Sequence, residues 1–149
     1  MSSSSGTLIR PFHLALPTTD LAATQAFYCE VLGCKLGRTD SSWIDLDLFG
    51  HQLVFHYCGG EGLPTLFNPV DIHQVPIPHF GFVLEPQAFN ELAERITGRV
   101  DFLIEPAMRF KGTPGEQQTL FFRDPNGLAL EFKSFVDDRF IFEPFEQPD

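Results

Sequence analysis

Two stretches of the chain, Phe12-His13-Leu14-Ala15-Leu16-Pro17 and Pro78-His79-Phe80-Gly81-Phe82-Val83-Leu84, open in the same way. Each places a histidine near the start of an apolar run that is typical of a β-strand. An ionisable side chain inside such a run is expensive to bury unless it has a partner. Its recurrence indicates that the chain is built from a repeated unit.

A helical pattern follows each histidine. Residues 20–32 begin at Asp20, a good N-cap, and stop before Gly33. Residues 86–97 begin with a proline, which suits the first helical turn, and stop before Gly98. The two predicted helices therefore occupy equivalent places in the two halves.

Three strand-like runs follow each helix. They are residues 34–38, 43–49 and 52–57 in the first half, and residues 100–104, 118–122 and 128–135 in the second. Residues 43–48 alternate as a half-buried strand should, and Asp124-Pro125-Asn126-Gly127 is a strong turn signal. Residues 59–78 are rich in glycine and proline and are expected to form a long connection. The pattern predicts an α+β fold of two tandem βαβββ modules.

The composition sets limits on function. The chain has 149 residues, of which 43% are hydrophobic, and a formal net charge of −10. Such a surface repels phosphate backbones, so we expect no nucleic-acid partner. No apolar run reaches the length that spans a bilayer, and residues 1–6 lack the features of a secretory signal. Three cysteines without metal-type spacing, Cys29, Cys34 and Cys58, favour reduced thiols and a cytoplasmic location.

A third ionisable residue, Glu131, sits in the apolar run Leu128-Ala129-Leu130-Glu131-Phe132. Two histidines and one carboxylate form the facial triad that holds a divalent metal and leaves coordination positions open. His13, His79 and Glu131 therefore suggest a metalloenzyme. A core histidine satisfied by hydrogen bonds is the alternative for each histidine taken alone.

These motifs resemble a known superfamily. The opening residues 12–17, with Asp20-Leu21, Phe27-Tyr28 and Leu32-Gly33 downstream, and the closing Phe122-Arg123-Asp124-Pro125-Asn126-Gly127 with Glu131, are similar to the vicinal oxygen chelate superfamily. That superfamily includes glyoxalase I, extradiol dioxygenases and bleomycin-resistance proteins. Residues 49–52 and 110–117 resemble a single-domain group described as extradiol-dioxygenase-like. The resemblance covers about residues 10 to 135.

The resemblance implies a curled, cup-shaped mixed sheet with a metal bound inside it. Its domain would cover residues 10–135, flanked by a flexible N-terminal segment, 1–9, and a C-terminal extension, 136–149. Within the domain, module one would span about 10–58, the connection about 59–77 and module two about 78–135. The positions of its metal ligands match His13, His79 and Glu131. Small members of the superfamily commonly pair, so a homodimer is expected.

The resemblance also bears on the reaction. Glyoxalases usually take a fourth ligand, a glutamate, from the last strand of module one, where this chain has Gln52, Val54 and His56 on one face. This departure favours the three-ligand arrangement of extradiol dioxygenases, oxidoreductases in which Fe(II) supports oxygen-dependent ring cleavage of a small, catechol-like substrate bound through vicinal oxygens; Zn, Mn, Ni and Mg remain possible metals. A glyoxalase-like isomerase or lyase, and a non-catalytic binding or resistance protein, are the alternatives.

Further residues are candidates for the chemistry. His56 is a candidate acid or base, because an ordinary imidazole titrates near neutral pH. Gln52, Tyr57, Arg109 and Lys111 are candidates for binding the substrate, and the two cations would suit an anionic group. Each of these residues also has a purely structural interpretation. His51 and His73 lie in turn-like contexts and are expected to be solvated.

Overall fold

The computed structural model describes residues 9–60, 62–70 and 73–146. The first module consists of β1 (His13–Thr18), α1 (Leu21–Ala26), β2 (Lys35–Thr39), β3 (Trp43–Leu48) and β4 (His51–Tyr57). A hairpin of β5 (Leu66–Val70) and β6 (His73–Ile77) follows. The second module consists of β7 (His79–Phe80), α2 (Pro86–Ile96), β8 (Phe102–Arg109), β9 (Gln117–Arg123) and β10 (Ala129–Phe135).

The two modules have the same topology. The strand order is β1-β4-β3-β2 in the first sheet and β7-β10-β9-β8 in the second. In both sheets the first strand pairs in parallel with the last, and the remaining pairs are antiparallel. The predicted α+β fold of two tandem βαβββ modules is confirmed.

Both helices begin where the sequence predicts, but the first one changes geometry. The side chain of Asp20 accepts a hydrogen bond from the Ala23 amide and caps α1. From Phe27 to Val31 the helix continues as a π-helical turn, which no pattern of apolar residues predicts. This turn carries Tyr28, which is fully buried.

The connection between the modules contains regular structure that the sequence analysis did not predict. β5 and β6 pair in an antiparallel ribbon in which Phe67 lies opposite Pro76 and Pro69 opposite Gln74. Prolines usually argue against strands because they cannot donate to a ladder. In a two-stranded ribbon each strand is hydrogen-bonded along one edge only. A proline is therefore tolerated where its nitrogen faces the open edge.

The predicted turn at Asp124–Gly127 also joins the modules. The buried Tyr28 hydroxyl donates to Asp124 Oδ2 at 2.8 Å, and Asp124 Oδ1 accepts from the Leu128 amide at 2.9 Å. Asn126 Oδ1 accepts from the Thr18 hydroxyl at 2.8 Å. Burial and the neighbouring Asp124 raise the pKa of Tyr28 well above its usual value. The core itself contains residues from both modules.

The remaining findings concern the cysteines and the length of the helices. Cys29, Cys34 and Cys58 are all free, and burial raises the pKa of Cys34 to about 12. Among the described residues, no helix is long and apolar enough to cross a membrane.

Candidate metal centre

The second module brings two of the three predicted ligands together. His79 on β7 lies opposite Ala129 on the neighbouring β10. Glu131 is two residues further along β10, so its side chain is on the same face of the strand as that of Ala129. His79 Nε2 and Glu131 Oε2 are 3.1 Å apart, and both side chains are mostly buried.

The other nitrogen of His79 is already occupied. His79 Nδ1 lies 2.6 Å from the carbonyl oxygen of Pro76 at the end of β6, so Nδ1 carries a proton and donates it. Val75, next to Pro76, is buried in a small cluster with Ile104 and Phe121, and the Phe121 ring contacts the His79 ring. The hairpin therefore fixes the orientation of His79 and leaves Nε2 for Glu131 or a metal.

Glu131 is also held in place. Its Oε1 accepts a hydrogen bond from the Thr119 hydroxyl at 2.9 Å. Burial raises the pKa of Glu131, but the hydrogen bond with His79, the charge of Lys133 and the Thr119 hydrogen bond outweigh it, so the net pKa is lowered. The hydrogen bond with Glu131 raises the pKa of His79 despite its burial. Both shifts favour the ion pair in which His79 carries its second proton and Glu131 is ionised.

Close packing at one glycine makes this geometry possible. A Cβ atom added at Gly81 would overlap the backbone carbonyl of Glu131. The segment after β7 can thus approach β10 closely because residue 81 has no side chain. In the first module the equivalent position, two residues after the histidine, is Ala15.

His13 has a different environment in the first module. It lies opposite Gln52 on β4, and its Nδ1 is 2.8 Å from Gln52 Oε1. Gln52 Nε2 donates to Asp45 Oδ2 at 3.4 Å, and Arg38 Nε donates to the same oxygen at 3.0 Å. We call His13, Gln52, Asp45 and Arg38 the module-one chain. A cavity of about 390 Å³ is lined in part by its last three members.

The structure does not unite all three predicted ligands within one chain. Across residues 9–60, 62–70 and 73–146, no three His, Cys, Asp or Glu side chains are grouped so that they could hold a metal. His79 and Glu131 form a pair, whereas His13 is exposed on the other module.

The strand registers show which residue of module one occupies the position equivalent to Glu131, where glyoxalases carry a fourth ligand. Glu131 is two residues beyond Ala129, the strand partner of His79. The matching residue in the first module is two beyond Gln52, the strand partner of His13, and is Val54. A valine cannot bind a metal, and Val54 is buried.

The remaining predicted residues are spread over both modules. His56 is exposed and lies four residues beyond Gln52 on β4, about 13 Å along the strand. Tyr57 is on the opposite face of β4 from His56 and is half exposed. Both ends of the Gln52 amide are engaged in the module-one chain. Their predicted roles in catalysis and binding stay predictions.

The two predicted cations lie at the far end of β8. Arg109 lies opposite Gln117, and two residues away Ala107 lies opposite Thr119, so Arg109 is on the face that carries the Thr119 side chain. Lys111 is exposed in the loop that follows. Phe145 of the C-terminal extension packs on this loop, where a Cβ added at Gly115 would overlap the Phe145 ring.

Several polar residues of this region were not among the predicted site residues. Thr119 contacts Glu131 and Asp45 contacts Gln52 across strands, and Arg38 in turn contacts Asp45. Only the register of the sheets reveals such contacts. Lys133 could have been found, because it is two residues from Glu131 on the same strand and therefore on the same face.

The expectation for His51 is wrong: it opens β4, accepts a hydrogen bond from the Phe12 amide at 2.7 Å and packs against Phe82. The side chain of His73 lies outside what the structure describes.

Each of the two βαβββ modules has a histidine on its first strand, and the second module has a carboxylate on its last strand. A family model described as the glyoxalase/bleomycin resistance protein/dioxygenase superfamily matches residues 10–132. The chain belongs to this superfamily.

Solved structures agree with this assignment. A glyoxalase/bleomycin resistance protein/dioxygenase from Alicyclobacillus acidocaldarius is 35% identical, with a TM-score of 0.75 over 89% of this chain and 96% of that one. A glyoxalase/dioxygenase from Nostoc punctiforme is 19% identical, with a TM-score of 0.59 over 92% and 98%. The fosfomycin resistance protein FosX from Listeria monocytogenes is 18% identical, with a TM-score of 0.61 over 85% and 93%. The last two show the fold alone. A search of curated proteins gave no match.

Proposed function

We propose that this protein is a metal-dependent enzyme whose site is shared between two copies of the chain. His79 and Glu131 of one copy would bind a divalent metal together with His13 of the other copy. The observation that carries the proposal is the His79–Glu131 pair, in which Nδ1 of the histidine and Oε1 of the carboxylate are already hydrogen-bonded. The atoms that remain, Nε2 and Oε2, are those that would bind the metal.

The donor atoms fit a divalent cation. In the metal-free protein, the proton between Nε2 and Oε2 provides the positive charge that balances the carboxylate, and a cation can replace it. His13 has its Nδ1 engaged by Gln52 in the same manner, so its Nε2 is the free nitrogen. Since His13 is exposed and, within the part of the chain that the structure describes, no third ligand lies beside the pair, a second copy is the simplest source of the missing ligand.

The same reasoning supports a homodimer with two equivalent sites. In a two-fold dimer, each copy gives its His13 to one site and its pair to the other. Light scattering should therefore return twice the chain mass of 16.8 kDa at micromolar concentration. A monomer mass under conditions where the protein binds metal would contradict the sharing of ligands.

For the reaction, we propose oxygen-dependent ring cleavage of a catechol-like substrate with Fe(II). Two histidines and one carboxylate leave three positions free, and this ligand set is typical of non-haem Fe(II) oxygenases. When bound, the metal would lower the pKa of two adjacent substrate hydroxyls and supply the redox chemistry for dioxygen. Val54 at the matching position of module one supports this choice over a four-ligand glyoxalase site.

The chain's own residues would orient the substrate. Lys133 is on the same face as Glu131, and Arg109 is on the face that carries Thr119, so both cations suit an anionic substituent. His56 is a more distant candidate, and it would act on a proton only if the substrate extends along β4. Replacing His56 with alanine should then lower turnover more than metal content.

The test is anaerobic reconstitution with Fe(II), followed by oxygen uptake with a panel of catechols. We expect uptake with at least one catechol and none with the Glu131→Ala variant. If the panel shows no uptake, and hemithioacetals or other 2-hydroxy carbonyls are converted under nitrogen, the isomerase alternative replaces the dioxygenase. Tight ligand binding without turnover and without metal would instead identify a binding protein.

A further inference from the structure

The module-one chain crosses the whole first sheet. It begins at His13 on β1, passes through Gln52 on β4 and Asp45 on β3, and ends at Arg38 on β2. Asp45 is buried, whereas Arg38 is largely exposed. A buried carboxylate needs such donors to offset the loss of its hydration, and here Gln52 and Arg38 provide them.

The chemistry of these groups gives the chain a direction. An ionised aspartate only accepts hydrogen bonds, and a guanidinium only donates them. Gln52 must therefore turn its NH₂ group towards Asp45 and its carbonyl oxygen towards His13. That oxygen needs a donor, so the proton of the neutral His13 ring has to be on Nδ1. The charge of Asp45 thus determines, through one amide, which nitrogen of His13 carries the proton.

We propose that Asp45 is a positioning residue that holds His13 in the tautomer with an unprotonated Nε2, and that Arg38 keeps Asp45 in place. This inference rests on the proposed function only in the consequence that Nε2 is the metal-binding atom. In the second module, the carbonyl oxygen of Pro76 holds Nδ1 of His79 directly. In module one, the side chains of Gln52 and Asp45 together hold Nδ1 of His13 in the same protonated state.

The test uses nitrogen NMR of the histidine rings in metal-free protein at about pH 9, well above the ordinary imidazole pKa. The His13 signals are assigned from the His13→Ala variant. In the wild type we expect the Nδ1–H tautomer to predominate. In Asp45→Asn, the new amide can donate to Gln52, which can then rotate and donate to Nδ1, so a mixture of tautomers is expected.

Asp47→Asn is the matched control. Asp47 is on the same strand and the same face as Asp45, and its side chain accepts from the Gly50 amide rather than from Gln52. The substitution removes the same charge, but we expect the tautomer of His13 to stay as in the wild type.

A double variant reverses the direction of the hydrogen bond between residues 45 and 52 and leaves residue 52 as the acceptor for His13. In Asp45→Asn/Gln52→Glu, the asparagine amide can donate to the glutamate, whose other oxygen accepts the proton of His13 Nδ1. We expect this variant to regain the wild-type tautomer, which a general loss of stability in Asp45→Asn could not explain. Gln52→Leu removes the amide that links His13 to Asp45 in the module-one chain. We expect it to give the same mixture of His13 tautomers as Asp45→Asn.

Metal titration of the same variants separates this inference from the proposed function. Removing a residue that orients a ligand typically weakens metal binding by about 10- to 100-fold, and we expect the lower end for Asp45→Asn. An unchanged His13 tautomer in Asp45→Asn and Gln52→Leu would overturn the role of Asp45. A shifted tautomer with unchanged metal affinity would uphold that role and count against His13 as a ligand.

Discussion

The two modules share one topology, but different groups hydrogen-bond to the histidine ring in each module. In module two, a backbone carbonyl holds Nδ1 of His79 while Nε2 meets Glu131 at 3.1 Å. In module one, the Gln52 side chain holds Nδ1 of His13 at 2.8 Å, and no carboxylate is at the position that matches Glu131. Module two therefore offers two of the proposed ligands and module one offers one.

The difference shows what a duplicated unit can keep and what it can change. The fold requires the apolar face of each strand, and both modules retain it in a shared core. The opposite face of each sheet differs between the modules, and there Glu131 in one module is matched by Val54 in the other. One ligand set can then be divided unequally between two similar units.

The largest effect should come from the ligands themselves. Glu131→Ala and His79→Ala should each abolish metal binding, because two remaining ligands make a poor site. Isothermal titration and metal analysis of dialysed protein measure this loss. Wild-type protein should also melt at a higher temperature with metal than with chelator, since the metal binds the native site. Undiminished metal content in either variant would reject the assignment.

The glycine after β7 provides a test of packing in the two modules. Gly81→Ala would place a methyl group against the Glu131 carbonyl, which cannot rotate away, so we expect a loss of about 3 kcal/mol of unfolding free energy. The reverse change at the matching position, Ala15→Gly, should cost less than about 1 kcal/mol. Urea denaturation measures both values. Equal costs at the two positions would mean that the close approach in module two is not needed.

The link between the modules can be weakened by one atom. Tyr28→Phe removes the buried hydroxyl that donates to Asp124, and we expect a loss of about 1.5 kcal/mol. Tyr57→Phe is the control, because that ring is half exposed and its removal of a hydroxyl should change stability little. A Tyr28→Phe variant as stable as the wild type would show that Asp124 finds another donor.

The smallest expected effect is a dependence of stability on pH that belongs to module two. The folded-state pKa of His79 is raised above 6.5, so its contribution is complete below pH 6.5 and is lost as the pH rises through the raised pKa. The pKa of Glu131 is lowered below 4.5, so its contribution is complete above pH 4.5 and is lost as the pH falls through the lowered value.

In metal-free protein, the difference in unfolding free energy between wild type and His79→Ala should therefore be largest between pH 4.5 and 6.5. We expect the pH-dependent part of this difference to be about 1 kcal/mol, because the pair is partly open to solvent. His13→Ala is the matched comparison, since Gln52 carries no charge. A difference for His79→Ala that grows as the pH rises above 6.5 would contradict the ion pair.

Much of the fold could be predicted because its signals are local. Strand alternation in residues 43–48 and the cap at Asp20 each depend on a few neighbouring residues, and the structure agrees with both. The β5–β6 hairpin was missed because its prolines argue against strands. The π-helical turn was missed because it has no characteristic spacing of apolar residues. Rules that consider only neighbouring residues therefore do not predict the hairpin or the π-helical turn.

The candidate site could be predicted only in part, for the same reason. The repeat pointed to His79 and Glu131, which the structure brings together. The contacts of Asp45 with Gln52 and of Thr119 with Glu131 depend on which residues face one another across strands. The separation of His13 from the pair depends on how two modules pack, and no motif in the chain encodes that.

The central claim is that the metal lies between His13 of one copy and the His79–Glu131 pair of another, and a mixing experiment tests it most directly. His13→Ala and Glu131→Ala chains, each unable to bind metal alone, are unfolded together, refolded and isolated as mixed dimers by two different affinity tags. Sharing predicts one intact site, because the Glu131→Ala chain supplies His13 and the His13→Ala chain supplies the pair. The account therefore predicts one metal per mixed dimer and none in either parent. No metal in the mixed dimer, with two per wild-type dimer, would contradict it.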